Sequence, residues 1–171
     1  SFLSIVTSMA FPLIPSAFQR HLIPLLRQRA AAAPGSRLLA QDGISWSAED
    51  LLTRGEVFAR ALSAAGLQAG DRVALQCSNR PEFLVVLIGC ALVGMVLVPI
   101  NTASRGSQLA YYVRNSRARA FVTEPALFEQ LENARSVDEE AIDAIHVIWS
   151  LDDCARPRDV RQVECVSQAP L

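Results

Sequence analysis

From Phe83 to Ile100 the chain carries no charged residue. A run of that length reaches the lower edge of a membrane-spanning helix, roughly 17–25 residues. The choice is therefore between a membrane helix and buried elements of a globular fold. Gly89, Gly94 and Pro99 interrupt the run. Gly94 ends a helix or lets it pack closely on a sheet, and Pro99 suits a strand end, where its missing N–H does little harm. The flanking positive charge is thin, with Arg80 on one side and Arg105 on the other. The run reads as a helix from Pro81 to about Gly94, with Ser78 or Asn79 near its cap, then a short strand, Met95–Ile100. No membrane span is expected.

The neighbouring segments repeat this alternation. Gly70-Asp71 turns into an apolar strand, Arg72–Cys77. Gln108–Asn115 reads as a helix, Ala118–Val122 as a strand, Pro125–Ala134 as a helix and Ile145–Trp149 as a strand. Strands alternating with helices imply parallel pairing through right-handed crossovers. Apolar strands such as Arg72–Cys77 and Met95–Ile100 suit a sheet covered on both faces, so both are expected mostly buried. The expected fold class is α/β, with a parallel or mixed sheet and helical crossovers.

Upstream, Pro24 suits the first turn of a helix that runs to Ala33 and stops at Pro34-Gly35. Asp42-Gly43 between Arg37–Gln41 and Ile44–Trp46 is a strong hairpin signal. Ser47 reads as an N-cap with Asp50 three residues on. Leu51, Phe58, Ala61, Leu62 and Ala65 then line one helix face up to Gly66, the natural C′ residue. After Leu151 the chain turns charged, contains Pro157 and loses periodicity, which reads as a loop or tail. Residues 1–19 hold no charge and so lack the basic start of a secretory signal; Met9 is a candidate start. The expected division is an extension over 1–21, a domain over 22–150 and a tail or linker over 151–171.

All 16 basic residues among the 171 are arginine. No Schiff base, P-loop lysine or catalytic lysine can come from this sequence. A GC-rich, bacterial coding sequence explains the bias. The formal net charge of −1 gives no electrostatic reason to expect nucleic acid or an anionic membrane. Cys77, Cys90, Cys154 and Cys165 show no Cys-x-x-Cys spacing, and only His21 and His146 could add imidazole ligands. No metal site is expected. Reduced thiols in the cytoplasm are the simplest reading.

Three ordered elements carry a family resemblance. Ile44–Leu51 reads ISWSAEDL, Ala69–Asn101 reads AGDRVALQCSNRPEFLVVLIGCALVGMVLVPIN, and Gln108–Glu124 reads QLAYYVRNSRARAFVTE. The set resembles the opening of the adenylate-forming superfamily: acyl-CoA synthetases, peptide-synthetase adenylation domains and luciferases. The matching positions are Ser45, Trp46, Glu49 or Asp50, and Leu51; then Gly70 to Ala74; then Gly94, Val98, Pro99 and Asn101. Each has a structural reading as turn, cap or packing residue, and none is an acid, base or nucleophile.

The resemblance implies the N-terminal portion of an AMP-forming acyl-CoA synthetase's large domain. The family's phosphate loop, its acidic residue for Mg²⁺, its ribose-binding Asp and its catalytic Lys find no match. The expectation is a scaffold fragment, inactive alone, with no catalytic or metal residue and no assigned cofactor residue. ATP, Mg²⁺ and coenzyme A are implied for the full-length enzyme. The partners implied are the remainder of its own polypeptide and further copies in a homo-oligomer. A peptide-synthetase adenylation fragment is the alternative, although those relatives more often carry Asp where this chain has Asn101. A stand-alone binding module is the third reading. Which acid is activated is not legible.

Several residues have both a structural and a functional reading. Asn101, Thr102 and Arg105 follow a strand's carboxyl end, where open α/β sheets take ligands. Arg114, Arg117 and Arg119 form a surface patch or a phosphate site. His146 is a strand histidine or a catalytic one. Asp138-Glu139-Glu140 reads as a solvated helix turn, and Trp46 and Trp149 as packing residues.

Overall fold

The computed structural model describes residues 21–154; the readings of residues 1–20 and of everything from 155 on lie outside the described residues. Helix α1 (Leu22–Ala32) accepts Pro24 in its first turn, where N–H groups have no intrahelical partner. Strands β1 (Arg37–Gln41) and β2 (Ile44–Ser47) form the antiparallel hairpin. Asp42 and Gly43 at its tip have φ of 48° and 81°, as a two-residue primed turn requires. Helix α2 (Ala48–Ala64) opens on the full capping box. Ser47 Oγ accepts from Asp50 N at 3.1 Å, and Asp50 Oδ2 accepts from Ser47 N at 2.8 Å. Leu51, Leu52, Phe58, Ala61 and Leu62 form its buried face, while Ala65 is only half-buried.

Helix α3 (Glu82–Leu92) packs against α2 through two glycines. A Cβ on Gly89 would lie 2.7 Å from Phe58 Cδ1 and 3.1 Å from the Gly55 carbonyl. One on Gly55 would collide with Ile88. Gly89 thus brings two helices together. The cap expected at Ser78 or Asn79 is not used: Pro81 is itself the N-cap residue, with no side-chain cap.

Four strands form one wholly parallel sheet in the order β4-β3-β5-β6: β3 (Arg72–Gln76), β4 (Val96–Ile100), β5 (Ala120–Thr123) and β6 (Val147–Ser150). Successive side chains point to opposite faces. Val73, Leu75, Ala120, Val122, Val147 and Trp149 join a core with α1, α2 and α3. Ala74 and Phe121 join a second core with α4 (Gly106–Ser116), α5 (Phe128–Arg135) and α6 (Glu139–Asp143). The result is a three-layer α/β arrangement with a core on each side of the sheet.

Two expectations need correction. Strand β3 is buried, but β4 is not: it is an edge strand, with Val96 49% exposed. Its hydrogen bonding explains why proline is tolerated. Val96 N donates to Asp71 O at 2.9 Å, on the β3 side. Alternation then turns the backbone of Leu97 and Pro99 toward the free side. The missing N–H of Pro99 costs no ladder bond and blunts the edge against strand addition. The second correction concerns the chain after β6. Leu151–Cys154 forms a short helix, α7, and Leu151 is fully buried in the first core. One helical turn with one buried side chain leaves no periodicity to read. Pro125–Leu127 is a 3₁₀ turn ahead of α5. Among the described residues no helix is long and apolar enough to cross a membrane; the uncharged run is α3 plus β4.

Candidate functional site

The chain lays β4 on one side of β3, then crosses back to place β5 on the other. That reversal makes a switch point between β3 and β5, and open α/β sheets take ligands outside the carboxyl ends of strands at such a point. The loop Cys77–Pro81 follows β3 there. Glu124 follows β5, and Asp152 on α7 follows β6.

Arg80 joins these three segments. Its Nε donates to Glu82 Oε2 at 2.8 Å, Nη1 to Glu124 Oε2 at 3.4 Å and Nη2 to Asp152 Oδ1 at 2.9 Å. Ser78 adds its backbone N–H to Glu124 Oε1 at 3.0 Å and its hydroxyl to Oε2 at 2.9 Å. One guanidinium faces three carboxylates, so the quartet carries a formal charge of −2 (one positive, three negative). The hydrogen bond to Glu82 leads in raising the Arg80 pKa further. Burial, then the Glu124 charge, pushes the Cys77 thiol up to about 11.

Beside this quartet lies a cavity of about 430 Å³, walled by Leu39 and Gln41 of the hairpin and by Cys77, Ser78, Asn79, Arg80, Pro81, Phe83 and Leu84. Gln41 Nε2 donates to Asn79 O at 2.7 Å and so ties the hairpin to the β3–α3 loop.

Asn101, Thr102 and Arg105 lie at the carboxyl end of the sheet, in the loop between β4 and α4, one strand away from the switch point. Asn101 Oδ1 accepts from Ala103 N at 2.8 Å. The buried Gln76 donates through Nε2 to Asn101 O at 3.1 Å and to Ser104 O at 3.0 Å. Thr123 Oγ1 in turn donates to Gln76 O at 2.8 Å. This loop is therefore held by internal bonds.

The amino end of the sheet gathers Arg72, Arg114, Arg117 and Arg119. Arg114 donates to Asp138 and, at 3.1 Å, to Glu140, and Arg119 pairs with Asp71 at 3.1 Å. Arg72 donates to Ser116 O at 2.9 Å and Arg117 O at 3.0 Å. Arg117, at φ 52°, closes α4 in the left-handed conformation. Asp138 also caps α6 by accepting from Ala141 N at 3.1 Å. The patch is thus largely neutralised by its neighbours. His146 is exposed just before β6. Trp46 is buried under the Arg54 guanidinium at 4.5 Å, and Trp149 meets Phe58 edge-on at 5.7 Å. The buried Cys90 thiol is pushed up to about 12 by desolvation. Among the described residues no three His, Cys, Asp or Glu side chains are grouped to hold a metal ion.

The sequence model of the AMP-binding enzyme family matches residues 26–170. The chain belongs to that family. It is 34% identical over 85 residues to the crotonobetaine/carnitine–CoA ligase of Citrobacter koseri, a match covering 50% of this chain and 16% of that protein. It is 30% identical over 112 residues to the mitochondrial acyl-coenzyme A synthetase ACSM2 of Rattus norvegicus, covering 63% and 20%. The chain therefore spans a fifth or less of the length of these relatives. Among solved structures, the anthranilate CoA ligase AuaEII in complex with anthranoyl-AMP aligns at a TM-score of 0.71 with 19% identity, covering 81% of this chain and 27% of that one. The benzoate CoA ligase of Burkholderia xenovorans aligns at 0.62 with 24% identity, covering 71% and 28%. At these identities the likeness is one of fold.

Membership in the family implies ATP, Mg²⁺ and coenzyme A for full-length enzymes. The switch-point crevice does not fit the nucleotide's phosphates. Its guanidinium is engaged by three carboxylates, and the remaining formal charge of −2 repels an anion. Ser78, Arg80, Glu124 and Asp152 escaped the sequence reading. Arg80 lies 44 residues from Glu124 and 72 from Asp152, separations at which no local pattern links them.

Proposed function

We propose that this chain is the N-terminal part of an AMP-forming acid–thiol ligase, which activates a carboxylic acid as its adenylate and passes the acyl group to coenzyme A. One observation carries the reading: the family match runs from residue 26 to residue 170, and the curated relatives cited are CoA ligases or acyl-CoA synthetases. Those relatives also set the peptide-synthetase reading aside.

Residues 22–150 serve as the scaffold of the N-terminal subdomain together with the α7 turn at Leu151–Cys154, with 1–21 as an extension and the chain from 155 on as the link to further polypeptide. That further polypeptide is the partner. It supplies the groups for ATP, Mg²⁺ and coenzyme A, and the enzyme works in the cytoplasm. The internal pairing of Arg80, Arg114 and Arg119 supports a scaffold role, because adenylation needs donors aimed at the charge developing on phosphorus.

Two measurements test this. The full-length enzyme, given ATP, Mg²⁺ and a panel of acids, forms acyl-coenzyme A; transfer only to a carrier protein would refute the acceptor. Residues 1–171 alone release no pyrophosphate and bind no ATP by calorimetry. A saturable ATP site of micromolar affinity in them would refute the scaffold role.

A further inference from the structure

The cavity between the hairpin and the β3–α3 loop has no part in the ligase reading. We propose that it is a binding site for a small neutral amphiphile, an apolar body of a few carbons ending in an amide or hydroxyl. Its volume of about 430 Å³ falls in the range of small-molecule sites, roughly 300–1,000 Å³. Leu39, Phe83 and Leu84 are apolar yet only half-buried, so they present uncovered apolar surface to whatever enters. Gln41 and Asn79 line the same space, and Gln41 Nε2, which donates to Asn79 O and to Asp42, fixes the two segments that carry them. This is the composition of a ligand site: mostly apolar walls with a few convergent polar groups.

Charge decides the ligand class. Arg80 lines the cavity, but Glu82, Glu124 and Asp152 engage its nitrogens. An entering carboxylate finds no free cation and meets the excess negative charge. An entering ammonium is drawn by the same excess, but it loses its hydration among the apolar walls and meets the Arg80 guanidinium, the charged group in the lining, as a like charge. A neutral group avoids both penalties and exchanges hydrogen bonds with the Asn79 carboxamide and with the Gln41 carbonyl oxygen, whose own nitrogen is already engaged.

The test uses the 171-residue chain labelled with nitrogen-15, with hexanamide, hexanoate and hexylamine as probes. Hexanamide shifts the amide signals of Ser78, Asn79 and Leu84 along one saturating curve. Hexanoate and hexylamine respond roughly tenfold more weakly. Leu84→Trp and, from the hairpin side, Leu39→Trp each fill the cavity and abolish the hexanamide response, while the signals of β5 and α4 stay in place. The proposal is overturned if hexanamide produces no saturable shift, if either charged probe binds as well, or if both tryptophan variants fold and still bind.

Discussion

Each end of the sheet is tied by an arginine among carboxylates, and the two ties differ mainly in exposure to water. At the carboxyl end, the side chains of Arg80, Glu82 and Glu124 are 23%, 7% and 15% exposed, with Asp152 at the rim at 54%. At the amino end, Arg114 and Glu140 are 51% and 87% exposed, and Asp138 is 22% exposed. Water and salt screen the second tie and largely cancel it, as they do most surface ion pairs. The first has lost much of its hydration, so removing one member strands the others. The topology differs as well. Arg80 clamps the ends of β3, β5 and β6, whereas Arg114 joins α4 to α6 and the turn before it. Similar chemistry thus contributes unequally to the fold.

The largest effect is expected for Arg80→Ala, which leaves the buried Glu82 without its cation. The expected loss is about 2–4 kcal/mol of unfolding free energy, read from denaturation followed by the fluorescence of the buried Trp46 and Trp149. A loss below about 0.5 kcal/mol, the scale of an exposed pair, would erase the distinction between the two ends.

Glu124→Gln should cost less, about 1–2 kcal/mol, because the amide oxygen still accepts from Ser78. It should also reach the neighbouring thiol. Glu124 helps hold Cys77 at about 11, so neutralising it lowers that value. At pH 9 the variant's Cys77 alkylates with iodoacetamide faster than wild type, as peptide mass spectrometry would register. An unchanged rate would mean that burial alone sets the thiol.

Arg114→Ala should be the mildest, with a denaturation midpoint indistinguishable from wild type at physiological salt. Its pH dependence sharpens the point. Arg114 holds the Asp138 carboxyl below its ordinary value of 3.8. The contribution of Asp138 is therefore fully present above that value and is lost as pH falls through the lower folded value. Any small gap between variant and wild type seen at low salt and neutral pH should close below about pH 3.8. A gap that widens in acid would contradict the link.

The fold was legible wherever a few adjacent residues decide the conformation. Asp42-Gly43 gave the hairpin, Ser47 with Asp50 gave the cap, and Gly66 gave the C′ position at φ 78°. The unbroken apolar run inside Arg72–Gln76 gave a strand covered on both faces. The candidate site was much less legible. Asn101, Thr102 and Arg105 lie at the carboxyl end of the sheet, one strand from the switch point where Ser78, Arg80 and Glu124 meet. Gly89 looked like a break in an apolar run, and its reason is the Phe58 ring of another helix.

Caps, turns and side-chain alternation act over three or four residues, where steric and hydrogen-bonding preferences are set by chain neighbours. The sequence by itself therefore determined most of the elements, their order and an α/β class with a parallel or mixed sheet. Strand order is different. It depends on which helices cover which face, and that is a sum of contacts between segments tens of residues apart. Only the tertiary structure decided that β4 lies at the edge, with the missing N–H of Pro99 toward the free side. It alone brought Arg80 to carboxylates 44 and 72 residues away. Closing loops of that length costs similar entropy for many pairings, so packing, not local preference, selects the one that forms.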